Sequence, residues 1–194
     1  MPPKIILASK SPRRSEILKL INIRFEVIIS HLKEDNCASS DPITLAKFHA
    51  QSKASHVAKD YSNAIIIGAD TIVVCEGKIF CKPKSLDQAK EFFKFFSGKQ
   101  IEVYTGVALC YKSKIVRDVD KSYLNVSNLS EEKIQKLISM VNPLERAGGF
   151  TLGSVQAVMF DDIKGSYYNI LGLPVKLLSD LFSQLGFDLL EFCH

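Results

Sequence analysis

The chain has 194 residues, 46% hydrophobic and 24% charged, a balance that suits one soluble domain or two closely joined lobes. Its net charge of +4 comes from basic residues spread along the sequence, whereas a nucleic-acid binder is marked by a clustered basic stripe. The first apolar run, Ile5-Ile6-Leu7-Ala8, is shorter than a signal-peptide core of about 7–15 residues, and no stretch approaches the ~18 of a membrane span. The expected location is the cytoplasm, with neither membrane nor nucleic acid as partner.

Strand-like and helix-like segments alternate, which predicts an α/β architecture. A strand at residues 4–8 runs through a turn into a helix at 12–20, with Ser11 as N-cap and Pro12 at the first helical position. Arg13 and Arg14 then fall in the first turn, where a cation is unfavourable by roughly 0.3–1 kcal/mol beside the positive end of the helix dipole. Lys10 adds a third charge. Two readings stand side by side. One is a solvated basic helix start. The other is an anion site, where backbone N–H groups, two guanidinium forks and the hydroxyls of Ser9 and Ser11 grip a phosphate chain.

A strand at 25–29 leads to the loop acids Glu34 and Asp35. A helix at 43–58 carries His49, Lys53 and His56, all three expected at the surface or partly buried. The run at 64–75 is apolar and β-branched, interrupted by Asp70. A buried carboxylate is costly unless paired or metal-bound, so Asp70 is the first candidate for chemistry. Alternation places Gly68 on the same face, where a missing side chain would leave room for a ligand. Glu76-Gly77-Lys78 reads as a hairpin turn into a strand at 78–81, and Lys82-Pro83-Lys84 follows as a basic loop. A helix at 86–96 opens with a capping-box pattern, Ser85 to Gln88, and is a possible divider between two lobes. Strands at 100–111 and 114–126 flank a second hairpin turn. Helices at 131–140 and 175–185 complete the set, with the glycine-rich loop Ala147-Gly148-Gly149-Phe150 between them.

Twelve Phe and no Trp predict a core of Phe, Ile and Leu. Five cysteines, Cys37, Cys75, Cys81, Cys110 and Cys193, lack C-x-x-C spacing and are expected as free thiols, mostly in the core. Ser97-Gly98-Lys99-Gln100 lacks the first glycine and the Ser/Thr of a phosphate loop, and the four histidines form no zinc pattern. The assembled candidates are several cations, at least two acids and small-residue loops. Cations neutralise a polyphosphate, acids hold Mg²⁺, and an acid takes the proton of an attacking water. That set points to metal-assisted phosphoanhydride hydrolysis.

Six segments, in order, resemble the Maf family of nucleoside triphosphate pyrophosphatases. They are Leu7-Ala8-Ser9-Lys10-Ser11-Pro12-Arg13-Arg14, Ile67-Gly68-Ala69-Asp70-Thr71-Ile72-Val73, Cys81-Lys82-Pro83, Tyr104-Thr105-Gly106-Val107-Ala108, Glu145-Arg146-Ala147-Gly148-Gly149-Phe150 and residues 163–174. The resemblance implies one domain over residues 1–194, an elongated mixed β-sheet flanked by helices, and two lobes with a central cleft. It implies hydrolysis of a nucleoside triphosphate to the monophosphate and pyrophosphate, a divalent metal (Mg or Mn) and a homodimer. The proton acceptor falls on Asp70. Phosphate-binding positions fall on Ser9, Arg13, Arg14, Lys53 and Lys82. The loop acid falls on Glu34, which with Asp70 would hold the metal. Arg13 together with Thr71 resembles the subgroup acting on dTTP and UTP. A third selectivity position, Gln in that subgroup, falls on Gly153 here, with Gln156 three residues later. Simple alternation turns Thr71 away from Asp70, so a strand presenting both to a substrate must bulge or end there. The competing function is a nucleotide-binding regulator of cell division or septum formation with little turnover.

Overall fold

Local chemistry accounts for the helix starts. The structure, a computed structural model, describes residues 2–32 and 39–193. After β1 (Ile5–Leu7), α1 spans Pro12–Leu20. Past β2 (Glu26–Val27), α2 spans Pro42–Ala58, with Asp41 accepting from the Thr44 backbone N–H at 2.8 Å and Pro42 at the helix start. β3 (Ile65–Cys75) and β4 (Lys78–Phe80) form a hairpin whose turn residues Glu76 and Gly77 both take positive φ, 48° and 75°, as a type I′ turn demands. α3 (Leu86–Phe96) is capped by Ser85 Oγ on the Gln88 N–H. The reciprocal half of the expected capping box differs, because the Gln88 side chain takes the Lys84 N–H instead. β5 (Gln100–Tyr111) and β6 (Lys114–Val126) follow. α4 (Glu131–Met140) starts at Ser130, which accepts from the Lys133 N–H. β7 (Phe160–Lys164), α5 (Tyr167–Leu171) and α6 (Val175–Leu185) complete the set.

Among the described residues, seven strands make one mixed sheet in the order β2-β1-β3-β5-β6-β7, with β4 pairing β3. β1 runs parallel to both neighbours, with Ile5 opposite Ile65 and Leu7 opposite Ile67 on β3. β4 and β7 pair antiparallel to β3 and β6. The expected mixed α/β fold is the observed one.

The chain divides into two compact units. The first comprises Met1–Asp70, Thr105–Asp120 and Gly172–His194, and the second Thr71–Tyr104 and Lys121–Leu171. Three of the four boundaries fall inside β3, β5 and β6. α3 lies wholly within the second unit and does not divide the chain. Each unit has a core of its own. The first holds a cluster of small and aliphatic residues, among them Ile6, Ala8, Ala50, Ala54, Ile66 and Ala108. The second packs Phe80, Phe93, Phe96 and Phe150 with Leu124, Ile134 and Leu137. There Phe80 meets the Phe96 ring edge-on at 4.7 Å between centroids. Among the described residues no helix is long and apolar enough to cross a membrane.

Candidate active site

The site begins with how closely α2 lies on the sheet. Ala46, Ala50 and Ala54 recur every four residues along one face of α2 and are fully buried. Opposite them stand Gly68 on β3 and Gly106 on β5. A Cβ on Gly68 would sit 2.2 Å from the Ala50 carbonyl oxygen, and one on Gly106 would sit 2.4 Å from that of Ala46. Small residues on both sides therefore let helix backbone rest directly on strand backbone. The space expected for a ligand over Gly68 is filled by α2.

Asp70 shares the Gly68 face and meets the next ring of side chains on the same helix. Lys53 Nζ donates to Asp70 Oδ1 at 2.6 Å, and His49 Nδ1 lies 3.1 Å from Oδ2. All three side chains are buried, Asp70 at 6% exposure. Burial alone would push the Asp70 carboxyl up. The charge of Lys53, the hydrogen bond from His49 and the charge of Arg14 outweigh it and hold the group down at about 2. Asp70 is thus an ionised carboxylate inside the protein.

Sequence reading missed His49 and expected Lys53 near the surface. The available signal was their spacing. Residues four apart share a helix face, so a helix that sends one to Asp70 sends the other. The notion of a surface helix hid it.

Ser9, Ser11 and Arg14 form a second group in the same unit. Ser11 stands at the N-cap position of α1, yet its side chain caps nothing. Ser9 takes over as the local acceptor, receiving the Ser11 N–H at 3.2 Å and Arg14 Nη1–H at 3.1 Å. Arg14 Nε donates to the Gly172 carbonyl at 2.7 Å, and the residue is buried. This arginine is therefore no solvated surface charge. Arg13, beside it on α1, is half-buried, and Lys10 is exposed. Two fixed cations, Lys53 and Arg14, act on the single carboxylate of Asp70, leaving the group net positive. That balance suits a polyanion.

The remaining candidates divide differently. Thr71 and Lys82 belong to the second unit, Thr71 half-buried on β3 and Lys82 exposed just after β4. β3 runs unbroken through Asp70 and Thr71, so the strand does not end there. Glu34, Asp35 and Cys37 lie outside the described residues. The glycine-rich loop is engaged internally. Gly148 N–H donates to the Cys81 carbonyl and Gly149 N–H to that of Arg146, with φ of 66° and 79°. These glycines serve a tight turn and bring no free N–H to a phosphate. Gln156 is fully buried, its Oε1 accepting the Thr151 N–H and its Nε2 donating to the Leu137 carbonyl. Its amide is spent on the fold and does not stand in for a glutamine at position 153. Cys75 and Cys110 are buried free thiols, both pushed up by burial. Cys81 and Cys193 are half-buried.

Among the described residues no three ligating side chains gather into a metal site. One ionised carboxylate, Asp70, fits a hard cation that completes its shell with water and phosphate oxygens, as Mg²⁺ does.

Comparison with known proteins covers nearly the whole chain. The family described as Maf-like protein matches residues 4–185. A dTTP/UTP pyrophosphatase of Bacillus cereus (strain G9842) is 40% identical over 185 residues, 95% of this chain and 97% of that protein. A dTTP/UTP pyrophosphatase of Bacillus cytotoxicus is 42% identical over 175 residues, 90% and 92% of the two chains. Among solved structures, the Ham1 protein of Staphylococcus aureus superposes with a TM-score of 0.48 at 12% identity, over 64% of this chain and 72% of that one. With a family match of this extent and relatives this similar over most of their length, the chain belongs to the Maf-like protein family.

Proposed function

We propose that this protein hydrolyses a nucleoside triphosphate to the nucleoside monophosphate and pyrophosphate. One observation carries the reading: a buried, ionised Asp70 held by Lys53, with Arg14 close enough to act on its charge. Water attacks the α-phosphorus, a new P–O bond forms, and the α–β anhydride bond breaks toward pyrophosphate. Asp70 takes the proton of the attacking water. A carboxylate held at about 2 is a weak base in the free protein. A polyphosphate arriving beside it changes that, because it repels the carboxylate's charge and competes for Lys53. Arg14, Lys53 and Ser9 bind phosphate oxygens, and Arg13 and Lys82 carry the remaining positions of the family's phosphate set. Asp70 and Glu34 are the residues that would hold a divalent cation. When bound, it would supply charge neutralisation on the phosphates.

Expected substrates are dTTP and UTP, on the names of the relatives and on Arg13 with Thr71. A screen of normal and modified nucleoside triphosphates with Mg²⁺ and Mn²⁺ tests this, and a clear preference for a purine nucleotide overturns it. Asp70→Asn is expected to lower pyrophosphate release by at least about 10²-fold, the usual scale of a general base. Circular dichroism checks that the variant is folded. Near-normal turnover in the folded variant overturns the mechanism. Tight nucleotide binding without hydrolysis by the unmodified protein favours the regulator of cell division instead. The homodimer carried by the family resemblance is tested by light scattering on the eluting protein.

A further inference from the structure

His49 is not among the residues that the family resemblance marks, yet it makes the second contact to Asp70. Its ring is 3% exposed, and Nδ1 lies 3.1 Å from Asp70 Oδ2. Asp70 is ion-paired with Lys53 at 2.6 Å, and a carboxylate so paired offers only acceptors, so the contact sets the hydrogen on Nδ1. Lys53 holds the other oxygen, Oδ1, from one turn further along α2. The two donors together fix both the plane and the direction of the carboxylate. Removing Lys53 would remove a charge and one point of attachment, and removing His49 would remove the other point of attachment. A buried imidazole among the alanines of α2 is costly in itself, since an apolar side chain would satisfy the packing without desolvating a polar ring. The hydrogen bond to Asp70 is what that placement provides.

We propose that His49 is a positioning residue, which orients the Asp70 carboxylate for the hydrolytic reaction. The inference rests on the reading of Asp70 as the proton acceptor. Its consequence is kinetic. Substrate binding is dominated by the cations, so loss of His49 should act on kcat and leave KM nearly unchanged.

Two substitutions separate the hydrogen bond from bulk. His49→Leu keeps an apolar volume and removes the donor. His49→Asn places an amide N–H one bond beyond Cγ, where Nδ1 stands. Comparable positioning contacts contribute about 10–100-fold, so His49→Leu should lower kcat by about that factor with KM within about threefold. His49→Asn should recover most of the loss. A His49→Leu protein with unchanged kcat, or a His49→Asn protein as slow as His49→Leu, overturns the proposal. Long-range ¹H–¹⁵N spectra of the unmodified protein give a reading independent of any variant's folding. They should show a hydrogen on Nδ1 of His49, and a ring protonated on Nε2 alone overturns the geometry. Asp70→Asn measured alongside keeps the two readings apart. Turnover surviving in Asp70→Asn defeats the role of Asp70 as base. Turnover lost there but retained in His49→Leu defeats only the positioning role.

Discussion

Asp70 stays charged against its own burial, and that has a consequence for stability. Its folded value of about 2 lies below the ordinary 3.8, so the folded state binds the proton more weakly than the unfolded chain. The contribution is therefore fully present above about pH 4 and is lost as pH falls toward 2. Urea midpoints measured between pH 5 and pH 2 should fall through this window, and Asp70→Asn should flatten the part of the curve due to this residue. A curve equally steep in the variant would remove Asp70 as its source. Gln156 illustrates the opposite kind of buried polar residue, one whose partners are all backbone. Gln156→Ala leaves the Thr151 N–H and the Leu137 carbonyl without their partner, a cost of about 1–3 kcal/mol. Its melting temperature should drop while the preference among nucleotides stays unchanged. A changed preference would return Gln156 to the substrate.

At the scale of elements, the distance between α2 and the sheet governs the site. Gly68→Ala would drive a methyl group to 2.2 Å from helix backbone, which cannot rotate away as a side chain could. The helix must move outward and carry His49 and Lys53 with it. Overpacking of this kind costs about 1–3 kcal/mol. Turnover is expected to fall more than tenfold even where the protein remains folded. Gly77→Ala is the control: nothing lies within 4 Å, but φ is 75°, so stability should suffer and turnover should not. Equal turnover in Gly68→Ala and the unmodified protein would show that α2 has slack. The same elements show what was legible in sequence. α1, α3, α4 and α6 carry caps, a proline start or strong apolar periodicity, and their expected bounds match the structure. β7 was missed because Phe160-Asp161-Asp162-Ile163-Lys164 is mostly polar and exposed, an edge strand defined by its pairing with β6 rather than by a buried face. Asp70 was legible because an acid interrupts an apolar run. Gly68 was legible as a close approach, but sequence could not tell a ligand from a helix. His49 depended on which face of α2 turns inward, and that is decided by glycines far along the chain on β3 and β5.

At the scale of the whole molecule, the small residues around Asp70 and the clustered phenylalanines belong to different units. The first unit's cluster is built from alanine, valine, isoleucine and one cysteine, and its small residues allow close backbone approach around Asp70. The second unit's core is dominated by phenylalanine, which buries more area per residue. Neither unit is a continuous piece of chain. Three of the boundaries cut through strands, and strands keep their composition across such a cut, so no linker marks the division in sequence. This arrangement makes excision a test. The fragment 71–171 contains the entire second unit together with Thr105–Asp120, a segment of the first. In the full protein Val107, Ala108, Leu109 and Cys110 of that segment are at most 2% exposed, and Ala108 and Cys110 pack in the cluster with Ala50, Ala54 and Ile66. The fragment strips those partners away and opens apolar surface at about 25 cal/mol per Å². It should melt without a cooperative transition and associate in solution, while the full chain melts cooperatively. A sharp melt with a dispersed NMR spectrum from the fragment would show that the second core suffices alone, and that the first unit's segment of β5 and β6 needs none of its partners.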